Sequence, residues 1–473
     1  MTAKPNSQIS NTSSSAQAGI NSILLSPPPQ LHDAAEQARN LRQVLEDDKQ
    51  RIGCFLGAGC PLGIYDSTGE KSMVLIPALD ALTEIVGAGL KDYAKQSGAT
   101  TSFIEAWDAL RKECRECVEP KPCDQCSPCK YEKDPPPTVE HVLTELRTLT
   151  SRRGKTDILG ISKEKLNDLD DAICSLVKDV MTKALPAHRC SYNRFASWIG
   201  GIHRLFPVEI FTPNYDLLFE QAFEQQSLPH FDGFVGTREP WFDLAAIEHD
   251  AIPSRWTRLW KLHGSINWER IEEKTDAGAV TRIVRVTREA QQRVMIYPSH
   301  LKYDQSRRMP YLAMLDRLRV FFRGDLVIKA GHIGIGDQDA PRLIICGYSF
   351  ADDHFNEVLL DGLRGNLKAQ CFALMFGDLA ANKRVLEYAQ SQPNLTVLAR
   401  DGAVIGTRVG LYRVGTSGSG EHDPWLCEED AAEGTENPKK HTRCRLGDFH
   451  YFGLFLEQLY GGARHNDHPS VQS

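Results

Sequence analysis

Several short, largely apolar runs in this chain stop at a glycine or a polar cluster and pass at once into a pattern of helical period. "RIGCFL" ends in Gly57, Ala58 and Gly59; "FPVEIFTPNYD" passes into "LLFEQAF"; "PRLIICGYSF" passes into "ADDHFNEVLLDGL". "CFALMFG" precedes "LAANKRVLEYAQ", and "NLTVLA" adds one more run. A strand with apolar side chains on both faces must be covered on both. Strands alternating with helices meet that demand by pairing in parallel, with helices packed above and below. The pattern therefore predicts an α/β fold with a doubly wound parallel sheet. "TRLWKLHGSINW" reads as another strand, turn and helix start of the same kind.

The rest of the chain is organised around that sheet. Residues 1–30, rich in Ser, Asn, Gln and Pro and ending in "SPPPQ", lack the apolar content to fold and read as a disordered leader. Residues 31–90 hold the first part of the sheet domain, with helical spacing in "LHDAAEQARNLRQVLEDDKQ" and again in "IPALDALTEIVGAGL". Residues 91–199 are mostly of helical period, clearest in "TVEHVLTELRTL" and "LDDAICSLVKDVMTKAL", and read as a helical insertion. Residues 200–415 return to the sheet pattern, and residues 416–473 read as a loose acidic loop followed by a closing helix, "LGDFHYFGLFLEQLY".

Composition narrows the class of partner. Lys and Arg number 55 against 62 for Asp and Glu, a formal charge of -7, so direct nucleic-acid binding is not indicated. No apolar run approaches the roughly 20 residues that span a bilayer and no signal peptide is present, which gives a cytoplasmic expectation without membrane contact.

In an open parallel sheet, ligands bind at the carboxyl ends of the strands, so the residues just after each strand have first claim on function. Gly57, Ala58, Gly59 and Cys60 follow the first; glycines let backbone amides approach a phosphate, although a plain glycine turn has the same composition. The spacing is not G-x-G-x-x-G, because the next glycine is Gly63. "TPNYD" places Thr212, Asn214 and Asp216 at the second strand tip, where an amide and a carboxylate can grip a polar ligand or close an Asx turn. "KLHG" offers His263 as a general base or a hydrogen-bonded structural residue. "CGYSF" offers Gly347, Tyr348 and Ser349 for a phosphate or ribose, or a strand-ending turn.

The ordered set GAG, T-x-N-x-D, K-L-H-G and G-x-S resembles the sirtuin-like NAD-binding fold, above all the sirtuin-like NADases of prokaryotic antiviral defence. The resemblance covers roughly residues 51–414, and it implies a Rossmann-like sheet and a regulated NAD+ hydrolase that depletes the cofactor during phage infection. Gly57, Ala58 and Gly59 would then meet the pyrophosphate. Asn214 would position a water or the reacting ribose, Asp216 would bind the nicotinamide carboxamide, and His263 would act as base on a ribose hydroxyl. Gly347 and Ser349 would meet the adenosine half. The family further implies a homo-oligomer and a HerA-type ATPase or another nucleic-acid-sensing subunit as partner. Two readings compete with it: a non-catalytic NAD-sensing scaffold, and a protein deacylase. Deacylating sirtuins carry two zinc-binding Cys pairs after the catalytic His-Gly, whereas residues 264–345 here contain no cysteine. Pro61 and the following "YDSTGEKSMVL" also depart from the family pattern.

One motif lies outside that set. "CRECVEPKPCDQCSPCK" carries Cys114, Cys117, Cys123, Cys126 and Cys129. Repeated C-x2-C pairs suit a tetrahedral structural zinc held by four of the five thiolates. Part of an iron–sulfur site and a loop of unligated thiols are the other readings.

Overall fold

The computed structural model describes residues 31–97, 102–118, 137–151, 157–158, 161–275, 278–286, 294–296, 310–323, 340–414, 423–429 and 441–460. Its centre is a nine-stranded sheet. In spatial order the strands are Arg408–Leu411, Gly402–Ile405, Leu395–Leu398, Gln370–Leu374, Arg342–Cys346, Ile52–Leu56, Glu209–Thr212, Thr257–Lys261 and His230–Phe231. All adjacent pairs from Leu395–Leu398 to His230–Phe231 are parallel. The chain enters at Ile52–Leu56, inside the sheet, builds one side through residues 209–261, then crosses to build the other. The predicted doubly wound sheet is therefore present, with its switch point at Ile52–Leu56.

Side-chain alternation shows why these strands carry apolar residues on both faces. Cys54, Leu56, Ile210, Ile344 and Cys346 enter one hydrophobic core, while Phe55, Phe211, Leu343 and Ile345 enter another on the opposite face. The first core is closed by helices Ala34–Glu46, Ser191–Gly201, Leu218–Gln225 and Phe449–Leu459, and the second by Tyr311–Arg323, Asp353–Gly365 and Lys383–Ser391. In Ala34–Glu46, Ala34, Ala38, Leu41 and Leu45 form the buried stripe, and Asp33 Oδ1 caps the start by accepting from Glu36 N–H at 3.0 Å. Between residues 79 and 201 lie helices Leu79–Ser97, Ser102–Val118, Val139–Ser151 and Lys163–Met181, whose buried faces join the first core.

Three expectations are corrected. Gly264 opens not a helix but a twelve-residue strand, Gly264–Thr275, because "SINW" alternates and drives Ile266 and Trp268 inward with period two. That strand pairs antiparallel with Gly278–Arg285 and Val294–Ile296, the long side of a separate five-stranded sheet. The main sheet also ends in an antiparallel hairpin, Gly402–Ile405 with Arg408–Leu411, turned by Gly406 and Thr407, both at positive φ (54° and 72°). Within the tail read as a loose loop, Leu426–Glu429 pairs with His441–Cys444. The leader and Cys123, Cys126 and Cys129 lie outside the described residues; Cys114 and Cys117 sit on helix Ser102–Val118. No described helix is long and apolar enough to cross a membrane.

Candidate active site

The four motifs meet at the carboxyl ends of four neighbouring strands: Arg342–Cys346, Ile52–Leu56, Glu209–Thr212 and Thr257–Lys261. The glycine loop and the Gly347 turn are locked together. Gly57 N–H donates to the Cys346 carbonyl at 2.9 Å and Gly59 N–H to the Gly347 carbonyl at 2.8 Å. A Cβ on Gly57 would lie 2.4 Å from Gly347 O, and one on Gly59 would lie 2.8 Å from Gly347 Cα. Gly347, at φ +67°, could not carry a Cβ without meeting Cys60 N at 2.6 Å. These glycines therefore exist first for the contact between two strand-end turns. Of the three amides in Gly57–Ala58–Gly59, that of exposed Ala58 has no protein acceptor among the described residues.

Cys60 and Tyr348 belong under the site rather than in it. Cys60 is fully buried, its Sγ 3.4 Å from the Cys346 carbonyl, and burial pushes its thiol well above the ordinary range. Tyr348 packs its ring 4.7 Å from that of Phe55, and its hydroxyl lies 2.9 Å from both the Asp352 carbonyl oxygen and Asn356 Oδ1. Ser349 is exposed and lines a cleft of about 510 Å³ with Ala380, Ala381, Asn382, Lys383 and Arg384.

The second strand tip is tied to the first. Thr212 Oγ1 donates to the Leu56 carbonyl at 2.7 Å and accepts from Asn214 N–H at 3.1 Å; Asn214 Nδ2 donates to the Gly57 carbonyl at 3.1 Å. Asn214 Oδ1 takes no protein donor among the described residues, so this buried amide keeps an acceptor for water or substrate. Asp216 is also buried, and its Oδ1 accepts from Leu218 N–H at 3.0 Å. Burial raises the Asp216 carboxyl above its usual range, opposed by Lys261. Lys261 is itself buried, its Nζ donating to the Asp216 carbonyl and, at 3.0 Å, to Glu220 Oε1.

His263 stands at the tip of Thr257–Lys261, beside two aromatic rings. Phe355 is stacked at 4.8 Å between centroids and Tyr215 at 6.3 Å. The Tyr215 hydroxyl donates at 2.7 Å to Glu140 Oε1, so helix Val139–Ser151 reaches the wall of the site. His263 Nε2 lies 3.4 Å from Asp352 Oδ2, both side chains being largely buried. Asp352 escaped the sequence reading, where "ADDHFNEVLLDGL" shows only a helical stretch. It is also the N-cap of that helix, accepting from His354 N–H through Oδ1 at 2.9 Å.

A second unforeseen element frames the glycine loop. Helix Phe449–Leu459 packs on the short helix Cys60–Gly63 so closely that a Cβ on Gly63 would sit 2.7 Å from Phe449 Cβ. Beyond it, the Tyr65 hydroxyl donates to Asp448 Oδ2 at 2.8 Å and the Tyr65 ring stacks on His450 at 4.2 Å. The irregular segment after Pro61 is thus pinned by the C-terminal helix. Among the described residues, no group of three or more His, Cys, Asp or Glu side chains is arranged to hold a metal ion.

Residues 208–327 match the family model of the SIR2-like domain. The match takes in Asn214, Asp216 and His263 and links the site to NAD-related activity; the glycine loop and the Gly347 turn lie outside it and join the site by geometry alone. No curated protein matches the chain.

Proposed function

We propose that this chain, built around the SIR2-like domain of residues 208–327, hydrolyses NAD+ at the bond between ribose and nicotinamide, releasing nicotinamide and ADP-ribose. One observation carries the reading: the glycine loop, Asn214 with its open acceptor, His263 and the Gly347 turn converge at the topological switch point of the sheet, where such folds bind nucleotides. Breaking the glycosidic bond builds positive charge on the ribose, and this transition state needs placed dipoles and a water more than a strong nucleophile. The Ala58 amide would face the pyrophosphate. Asn214 Oδ1 would hold the attacking water or a ribose hydroxyl, Asp216 would engage the carboxamide, and His263 would accept the proton that water or the hydroxyl gives up.

Deacylation of a protein lysine is the second reading. It is weakened by the interval after His263, which lacks cysteine from residue 264 to 345 and builds an antiparallel sheet in its described part. The family resemblance extends the first reading to a regulated effector of anti-phage defence, working as a homo-oligomer under a HerA-type ATPase or similar subunit. Separately from the resemblance, the C-x2-C spacing of Cys114, Cys117, Cys123, Cys126 and Cys129 suits a structural zinc held by four of the five. A constitutively active NADase would drain its own cell, which is why control by a partner accompanies the activity.

Purified protein incubated with NAD+, alone and with candidate partners, should release nicotinamide and ADP-ribose. Asn214→Ala and His263→Ala should each lower kcat by about 10²–10⁴-fold while leaving the folded state intact. Undiminished release by both variants would remove these residues from the site.

A further inference from the structure

We infer that Asp352 is a positioning residue for His263, holding its imidazole with Nε2–H toward the carboxylate so that Nδ1 carries the basic lone pair. The inference rests on the NAD+-cleavage reading for its consequence in turnover, but the pairing stands on geometry. Asp352 Oδ1 is engaged in the helix cap through His354 N–H at 2.9 Å, and its second oxygen is directed at His263 Nε2 at 3.4 Å. A cap alone needs one oxygen and is served equally by Asn or Ser. His263 Nδ1 has no protein partner among the described residues, so the ring offers one nitrogen to Asp352 and one to a ligand.

The chain is bent to make this contact. After the Arg342–Cys346 strand it turns at Gly347 (φ +67°) and again at Phe350, a non-glycine residue at φ +56°. Such a conformation persists only where its surroundings enforce it. Here buried Asn356 donates through Nδ2 to the Phe350 carbonyl at 2.8 Å, and the Tyr348 hydroxyl holds the Asp352 carbonyl at 2.9 Å. Arg384 Nη1 reaches the Ala351 carbonyl at 3.3 Å. Phe355, on the first turn of the same helix, stacks on the imidazole. One turn thus delivers both the carboxylate that fixes the ring's edge and the aromatic that fixes its plane, an arrangement that favours a single tautomer.

Asp352→Asn keeps the cap and removes the charge, which makes it the decisive variant. In 15N-histidine-labelled protein, long-range ring correlations should show His263 locked as the Nε2–H tautomer in the wild type and shifted toward Nδ1–H in Asp352→Asn, whose Nδ2 would donate to Nε2 while Oδ1 keeps the cap; identical tautomer populations would overturn the pairing. In nicotinamide-release assays the variant should lose about 10–100-fold in kcat with KM within twofold and an unchanged Tm. Wild-type kcat in Asp352→Asn would overturn the positioning role while leaving NAD+ cleavage standing. Release by neither protein, with the tautomer locked only in the wild type, would overturn the cleavage reading and uphold the pairing.

Discussion

At the scale of single residues, the site is assembled from groups whose local roles are structural and whose leftover valences are chemical. Asn214 closes the gap between two strand tips with Nδ2 and keeps Oδ1; Asp216 closes a turn with Oδ1 yet is held in a burial that opposes its charge. Its folded-state pKa lies above its unfolded value, so the stability linked to its proton is present at low pH and lost as pH rises through that raised pKa. Asp216→Asn keeps the turn and removes the buried charge. It should therefore match or exceed the wild type in urea stability at pH 7 while losing NAD+ cleavage; a large loss of stability would mean that the carboxylate is structural. Gly57→Ala tests the opposite kind of position. Its Cβ would enter the space of Gly347 O and Tyr348 Cα, both backbone, so no rotamer change can relieve it. A cost of about 1–3 kcal/mol is expected in denaturant titration, together with weakened NAD+ binding.

Among the elements, the helix Phe449–Leu459 has the most consequence for the loop at Gly57–Gly63. Asp448 caps this helix through His450 N–H at 2.8 Å and, through its other oxygen, receives the Tyr65 hydroxyl at 2.8 Å. Asp448→Ala should cost about 1–2 kcal/mol, and amide exchange should speed up around residues 64–73 as well as at the helix start. Acceleration at the helix alone would show that the loop is held by packing rather than by this carboxylate. The strands and their flanking helices were legible because apolar runs and helical periods are local. The hairpin Gly402–Ile405 with Arg408–Leu411 and the long strand Gly264–Thr275 were not recognised, although "SINW" does alternate; a strand whose partner is an antiparallel neighbour needs no following helix, and the strand–helix rhythm hides it.

For the molecule as a whole, two hydrophobic cores sandwich the sheet, and one buried ionic group joins neighbouring strands and a covering helix. Glu209 Oε1 receives Arg51 Nη2 at 2.8 Å, Oε2 receives Trp260 Nε1 at 3.0 Å, and Arg317 Nη2 lies 3.6 Å away. Burial alone would raise its pKa, but the two guanidiniums outweigh it and the carboxyl is held below the ordinary value. The sign follows: with the folded pKa depressed, the stability from this group is present above the unfolded pKa of about 4.3 and is lost as pH falls through the folded value. Acid titration of the wild type should show this loss, and Glu209→Gln should flatten it while costing about 3 kcal/mol at neutral pH, since two guanidiniums lose their buried counter-charge. An unchanged acid limb in the variant would place the acid-sensitive group elsewhere.

The sequence by itself determined the alternation of strand and helix, the parallel sheet, and the strand-end positions where Gly57, Asn214, His263 and Gly347 stand, because each depends on the local pattern of apolar and polar residues. What only the tertiary structure decided were the partners brought from afar: Asp352 to His263, Glu140 to Tyr215, and Asp448 to Tyr65. Their separations along the chain run from tens to hundreds of residues, and no local period encodes a contact made by the folding of a switch-point crevice. The glycine loop shows both sides. Its composition was visible at once, but the reason for its glycines, the 2.4 Å space against the Gly347 turn, belongs to the packed sheet.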